Sequence, residues 1–300
     1  MKAMQIDAFG GPEVLHEVEV DTPEPGPGQV RIRVRAVGVN PFDGKVRSGG
    51  MAAMFPTPLP AILGVEVAGT VDAVGSDVTG FAVGDDVFGW SESGAYAEYA
   101  LATRVAIKPA DLAWADAVAL PVAGETAERI LDLLKVSSGE TLLMHGAAGA
   151  VGTVAAQLAI ARGAKVIGTA GAGNHEYLAG LGVIPTVYGD GLVERVRALA
   201  PDGVDAVFDV AGKGALPDSI KLRGGTDRIV TIADPAAASL GVAFSSGGGD
   251  PDLVGLADQV VKGELTVAIA GVYPLADAAA AHRVLEGGHA RGKLVLTVAG

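Results

Sequence analysis

The stretch from Thr141 to Ala170, TLLMHGAAGAVGTVAAQLAIARGAKVIGTA, constrains this chain more than any other. A short apolar run, Thr141 to His145, leads into a turn of small residues, Gly146-Ala147-Ala148-Gly149-Ala150-Val151-Gly152. A helical pattern follows, and then a second apolar run, Lys165 to Thr169. Strand, turn, helix and strand in that order predict a βαβ unit. Lacking a Cβ, Gly149 lets a pyrophosphate come close to the backbone, and Gly152 lets the helix pack closely on the strand. The helix N-terminus offers unpaired N–H donors to the same anion. Ala147 stands where G-x-G-x-x-G has its first glycine, so the motif alone leaves both a plain βαβ turn and a dinucleotide site open.

A chain of 300 residues has room for two domains with sizeable cores. Hydrophobic residues make up 49% but aromatics only 5%, so small aliphatic side chains must fill those cores, as suits tightly packed α/β layers. The uncharged run Thr141 to Ala161 is long enough to raise a membrane span, and its three glycines argue instead for a buried segment. A net charge of −13 without any basic cluster makes nucleic acid an unfavourable partner. With no cysteine, disulfides, thiol catalysis and Cys-ligated zinc or iron–sulfur sites are excluded. The start, MKAMQIDAFGGPEVL, reads as a strand and turn and not as a signal peptide, which predicts a cytoplasmic home.

Residues 1–116 show short alternating strands, such as Gln29 to Val39 and Gly64 to Val74, with Pro and Gly clusters between them. A helical pattern starts near Leu112. From Gly139 strands and helices alternate, with strands at Thr141 to His145, Lys165 to Thr169, Ile184 to Val187, Val204 to Asp209 and Arg228 to Ile232, predicting a parallel doubly wound sheet. Leu265 to Gly300 reads as strand, helix (Ala276 to Glu286) and strand (Lys293 to Val298), able either to finish that sheet or to return to the first domain. The histidines His16, His145, His282 and His289 have no partners at triad or metal spacing and read as structural.

Several short motifs in order resemble the medium-chain dehydrogenase/reductase superfamily, in particular its zinc-independent, zeta-crystallin-like quinone oxidoreductase branch. They are Gly38-Val39-Asn40-Pro41-Phe42-Asp43, Gly64-Val65-Glu66-Val67-Ala68-Gly69, Val83-Gly84-Asp85-Asp86-Val87, Gly94-Ala95-Tyr96-Ala97-Glu98-Tyr99, Leu120-Pro121-Val122-Ala123-Gly124, the glycine-rich turn, and Arg291-Gly292-Lys293. The resemblance spans nearly the whole chain. It implies an α/β fold in which a GroES-like β-barrel domain (1–116, with 265–300 returning to it) accompanies a Rossmann domain (117–264), with the active site in the cleft between them. Zinc-dependent members use a Cys, a His in a G-H-E triplet, and a second Cys or Asp; the matching positions here are Asn40, Val65 and about Val122. Valine cannot ligate zinc.

The resemblance also implies the cofactor and its contacts. Where NAD enzymes carry an acid to accept the ribose hydroxyls, this chain has Ala170, with no acid before Asn174 and His175, which favours NADPH. A carboxylate about 4 Å from the 2′-phosphate would cost about 4 kcal/mol per unit charge at an effective dielectric near 20. Gly149, Ala150, Val151 and Gly152 are expected to carry the pyrophosphate, Thr126 the nicotinamide side, Tyr188 the adenosine side, and Phe244, Ser245 and Ser246 the late loop, with Arg291 and Lys293 also on the cofactor. His175 reads either as a cofactor contact or as an exposed helix-start residue. Glu125, Glu128 and Arg129 replace residues usually neutral in relatives, and either alter the nicotinamide surroundings or face solvent.

Asn40 and Asp43 are the catalytic candidates, and either face the substrate or hold their loop by local bonds. Met51, Met54 and Phe55 read as pocket lining or as core packing. With neither zinc nor a convincing buried acid in the sequence, the expected reaction is hydride transfer from NADPH to quinones. NADPH-dependent reduction of enones or 2-alkenals is the second reading, and a non-catalytic, crystallin-like NADPH-binding protein is a third, of another class. Relatives suggest a homodimer acting on a small-molecule substrate.

Overall fold

The computed structural model describes residues 1–288 and 290–299; His289 lies outside the described residues. Two compact units are formed, Met1–Pro121 with Asp252–Gly300, and Val122–Pro251. The return to the first unit therefore comes at Asp252, earlier than residue 265. It follows the glycine run 247–249, and the Asp252 carboxylate caps the next helix by accepting from the Gly255 N–H at 2.8 Å.

The first unit opens with β1 (Lys2–Ile6), β2 (His16–Glu19), β3 (Val30–Val39), α1 (Pro41–Arg47), β4 (Ala61–Ile62), β5 (Glu66–Val74), β6 (Asp86–Trp90), β7 (Tyr99–Ala102), β8 (Arg104–Ile107) and α2 (Trp114–Val118). Along β3, Val30, Ile32 and Val34 are buried while the arginines between them point outward, which is the alternation the sequence shows. From Ala36 onward every residue is buried, because α2 packs against the strand.

The second unit begins within α3 (Pro121–Leu133). It contains β9 (Thr141–His145), α4 (Ala150–Ala161), β10 (Lys165–Thr169), α5 (His175–Gly180), β11 (Ile184–Thr186), α6 (Leu192–Leu199), β12 (Ala206–Asp209), α7 (Leu216–Arg223), β13 (Ile229–Thr231), α8 (Ala237–Leu240) and β14 (Ala243–Phe244). Its six strands are parallel in the order β11-β10-β9-β12-β13-β14, the doubly wound order of dinucleotide-binding sheets. Leu143, Ile167, Val207 and Ile229 pack in one core cluster with Leu192, Val196 and Leu216 of α6 and α7. The uncharged run from Thr141 is consumed by β9, the turn and α4, and among the described residues no helix is long and apolar enough to cross a membrane.

The chain then adds α9 (Leu253–Val261), β15 (Ile269–Pro274), α10 (Ala278–Glu286) and β16 (Lys293–Thr297) to the first unit. There β16 runs antiparallel to β3, and β15 parallel to β16. Met4, Ile6, Val34, Val37, Tyr96, Leu294 and Leu296 share its core.

Candidate active site

In the second unit, register pairs Thr169, His145, Asp209 and Thr231 across β10, β9, β12 and β13, so the C-terminal ends of these strands lie level. Ligands of open α/β sheets bind at such ends. The left-handed turn position, φ +77°, falls on Gly146. Ala147 is accommodated because Gly168 faces it on β10, where an added Cβ would stand 2.7 Å from the Ala147 Cβ. At Gly152 an added Cβ would lie 2.3 Å from the Gly146 carbonyl oxygen and 2.8 Å from the Ala147 Cα, so the close approach of α4 to the turn after β9 demands glycine. Gly149 differs. Its φ of −75° and ψ of 174° suit any residue, and an added Cβ would meet only the Gly146 oxygen at 3.5 Å. The space over Gly149 is open, and no side chain caps α4, so the first-turn N–H groups of Ala150, Val151 and Gly152 are of the kind that could hold an anion.

At the end of β10, Ala170 is buried and its N–H donates to the Thr186 carbonyl at 3.0 Å. Asn174 and His175 stand at the start of α5, and the His175 Nε2 lies 3.3 Å from the Ala170 carbonyl oxygen. His175 is thus half-buried and turned toward the strand end. Tyr188, 62% exposed, follows β11.

On α3, Thr126 is buried and its hydroxyl donates to Glu125 at 3.2 Å. The Glu125 side chain points inward, where Arg129 donates to it at 2.6 Å and the Gly249 N–H at 2.8 Å. Burial opposes ionisation of Glu125, yet Arg129 and the Gly249 N–H hold its carboxyl below the ordinary value. Arg129 also donates to the Ser245 hydroxyl, so the charged pair ties α3 to the segment after β14, where Phe244 and Ser246 are exposed and Ser245 is half-buried. Of the alternatives open for Glu125, the structure excludes a solvent-facing carboxylate.

The polar cluster of the first unit is built from side chains far apart in sequence. Pro41 begins α1, and the Asp43 carboxylate accepts from the Asn40 N–H at 2.8 Å, closing the first turn. The Asn40 carboxamide is committed elsewhere: its Oδ1 accepts from Lys293 Nζ at 2.7 Å and its Nδ2 donates to Glu66 Oε2 at 2.7 Å. Lys293 donates to the same Glu66 oxygen at 2.6 Å. Glu66 is 0% exposed, Lys293 2% and Asn40 4%. Burial raises Asp43 to about 7, the nearby Glu66 adds to the effect, and the Asn40 and Gly64 N–H groups and Lys293 oppose it.

The expectation that the chain lacks a buried acid is therefore corrected. Glu66 belongs to the Gly64-Val65-Glu66 triplet, and the signal was an acid at the head of the apolar run that becomes β5. What the sequence does not display is that β16 brings Lys293 to neutralise it. For Lys293, placed on the cofactor by resemblance, the structure shows an ammonium spent on Glu66 and Asn40, while Arg291 lies exposed two residues earlier.

These residues do not fit a zinc ion. Asn40 faces an ammonium, Val65 has no donor, and no three His, Cys, Asp or Glu side chains gather among the described residues. Behind the cluster, Tyr96 Oη lies 2.8 Å from His282 Nε2, and Arg47 Nη1 3.1 Å from His282 Nδ1. Burial and then Arg47 lower His282 to about 4, so it stays a neutral, packed ring. His145 is likewise lowered by burial, with its Nε2 2.9 Å from the Ser219 hydroxyl. His16 lies exposed, 3.3 Å from the Asp7 carboxylate. The three apolar candidates part company: Met51 packs on the core, Phe55 meets Phe42 edge-on at 5.2 Å, and Met54 is 67% exposed.

Residues 26–110 match the alcohol dehydrogenase GroES-like domain, and residues 181–296 match the zinc-binding dehydrogenase family. The chain is 33% identical to the quinone oxidoreductase of Mus musculus, over 99% of this chain and 97% of that one. It is 34% identical to the 2-methylene-furan-3-one reductase of Solanum lycopersicum, over 99% and 79%. Among solved structures, it resembles an NAD-dependent alcohol dehydrogenase with a TM-score of 0.87 at 31% identity, covering 100% of both chains. It resembles the Escherichia coli quinone oxidoreductase complexed with NADPH with a TM-score of 0.86 at 28% identity, covering 99% and 100%.

Proposed function

The chain belongs to the quinone oxidoreductase branch of the medium-chain dehydrogenase/reductase superfamily, and from that membership we propose that it is an NADPH-dependent, zinc-independent reductase of small quinones. The observation that carries the proposal is the Asn40 carboxamide, held between Lys293 and Glu66 where zinc-dependent members place a metal ligand; on this reading its remaining N–H would serve the acceptor as a hydrogen-bond donor in place of a Lewis acid. Bound NADPH would supply a hydride from its dihydronicotinamide ring. In the second unit, the N–H groups after Gly149 would hold the pyrophosphate and Thr126 the nicotinamide side, while Ala170 leaves the 2′-phosphate without a repelling carboxylate. A quinone spreads the incoming negative charge onto an oxygen that water later protonates, so alignment with one donor suffices. A simple ketone would form a localised alkoxide and need a stronger electrophile.

The tomato relative, named for reduction of a methylene-furanone, supports activated C=C bonds as a second acceptor class, because an enolate oxygen also gains from an Asn40 donor. A steady-state screen of NADPH oxidation tests both readings. Quinones should turn over fastest, enones more slowly, and simple ketones or alcohols not at all; fast enone reduction without quinone turnover would favour the second reading. Ala170→Asp should abolish the preference for NADPH over NADH in a fluorescence titration, and equal affinities in the unmodified protein would refute NADPH specificity. We also propose a cytoplasmic homodimer, the assembly being open to light scattering.

A further inference from the structure

Asn40 has a carboxamide that cannot turn over. Its oxygen faces the Lys293 ammonium and its nitrogen the Glu66 carboxylate, each at 2.7 Å, and Lys293 and Glu66 are themselves bonded at 2.6 Å. Exchanging the amide's two ends would set an N–H against the ammonium and a carbonyl against the carboxylate, replacing two attractive contacts by two repulsive ones. The backbone is cleared for this arrangement. A Cβ on Gly38 would lie 2.1 Å from Glu66 Oε2, so the carboxylate occupies its place only because β3 carries glycine there.

Stability alone does not account for the pair, because replacing a buried ion pair by apolar side chains of similar volume is often neutral or stabilising. What the pair does fix is a direction. The Asn40 nitrogen carries two hydrogens and gives one to Glu66; no described residue takes the other, although the residue is only 4% exposed. The ammonium on Oδ1 also withdraws electron density from the amide and strengthens that remaining donor.

We infer that Lys293 and Glu66 are a positioning pair, whose task is to hold the second N–H of Asn40 ready for the carbonyl oxygen of the hydride acceptor. The inference rests on the reductase reading above. It assigns Lys293 to the acceptor's side of the chemistry and not to the cofactor. The acceptors that depend most on an oriented donor are those whose charge is least delocalised, so the pair governs enones more than quinones.

The experiment compares the unmodified protein with Lys293→Met and with the double variant Glu66→Gln/Lys293→Met, which leaves no buried charge unpaired. The first readout needs no turnover. The Asn40 side-chain amide signals in a nitrogen-15 spectrum, identified by their loss in Asn40→Asp, should show one proton shifted far downfield and exchanging slowly with water. In the double variant both should return to the positions of an ordinary exposed asparagine. The second readout is kinetic: kcat for an enone should fall roughly tenfold more than kcat for a quinone, with KM for NADPH unchanged. A folded double variant that keeps the amide signals, or keeps the enone-to-quinone ratio, would overturn the inference. So would a rise in the KM for NADPH at constant ratio, which would return Lys293 to the cofactor. If the unmodified protein turns over no acceptor, the reductase reading fails and the amide spectrum alone decides whether the pair positions Asn40.

Discussion

The glycine-rich turn of the second unit and the polar cluster of the first are built by opposite means. The turn, Gly146 to Gly152, is contiguous, carries no charge and works through missing side-chain atoms: at Gly152 a single added carbon would lie 2.3 Å from a backbone oxygen. The cluster gathers Asn40, Asp43, Glu66 and Lys293 from α1, β5, β16 and the end of β3, and works through one buried ion pair, Lys293 with Glu66, beside a carboxyl whose ionisation burial opposes. A site made of backbone is upset by bulk, whereas a site made of buried charge is upset by imbalance. The two should therefore answer differently to substitution and to pH.

Imbalance should have the largest effect. Lys293→Met takes from Glu66, at 0% exposure, the cation it is bonded to, and removing one partner of a buried ion pair costs about 3–5 kcal/mol. Urea denaturation should show that loss, and adding Glu66→Gln should recover most of it. Failure of the second change to recover stability would mean that Lys293 contributes by packing and not by charge.

Asp43 should give the next largest effect, visible as a pH slope. Burial raises its carboxyl from 3.8 to about 7, so between these values the folded state holds a proton that the unfolded chain has released. Stability should fall as pH rises through that window, by up to about 4 kcal/mol, and level off above it. Asp43→Asn should remove the slope, and an unchanged slope in unfolding free energy between pH 4 and 7 would assign it to other groups.

Bulk in the turn should cost less. Gly152→Ala forces α4 away from Gly146 and Ala147, an overpacking worth about 1–3 kcal/mol in thermal or urea unfolding. Gly149→Ala has only a 3.5 Å contact to meet and should leave stability unchanged while weakening NADPH in a titration. Equal destabilisation by both substitutions would erase the distinction between a glycine needed by the fold and one needed by the ligand.

The same contrast explains what could be read in advance. The strands Thr141 to His145 and Lys165 to Thr169 stand where the periodicity puts them, because the pattern and the small-residue turn are local. The Gly146 to Gly152 turn was legible for the same reason, though Gly168 as the residue that admits Ala147 appears only once β9 and β10 are paired. Asn40 and Asp43 could be nominated from a motif, but the Lys293 contact that fixes the amide crosses 253 positions, and no local pattern encodes which lysine will reach a given acid. Glu125 was ambiguous because an i,i+4 pair with Arg129 fits an exposed helix face as well as an inward one; the Gly249 N–H decides for the interior.

The smallest effect tests the comparison at a charged pair of the second unit that is not buried. Glu140 precedes β9 and Arg228 precedes β13, so the pair lies at the N-terminal ends of the strands, away from the turn. The guanidinium donates to both carboxylate oxygens, at 2.6 and 2.8 Å, and the Ser137 N–H adds a third bond at 3.0 Å. Arg228 holds the Glu140 carboxyl at about 2 against an ordinary 4.5, the reverse of the direction at Asp43. Here the unfolded chain binds the proton first as pH falls, so the pair's contribution is complete above about 4.5 and disappears as pH drops toward 2. With the two side chains 23% and 28% exposed, water and salt screen the interaction, and its worth is about 1 kcal/mol or less. Glu140→Gln should lower the unfolding free energy by that amount at pH 7, less in high salt, and the difference from the unmodified protein should close as pH falls from 4.5 to 2. NADPH affinity should not change, because the strand ends that carry Gly146 and Ala170 are the opposite ones. A difference that persisted at pH 2, or that varied between pH 5 and 7, would mean that Glu140 acts by something other than an ionised carboxylate, and the contrast in sign between the two units would not hold.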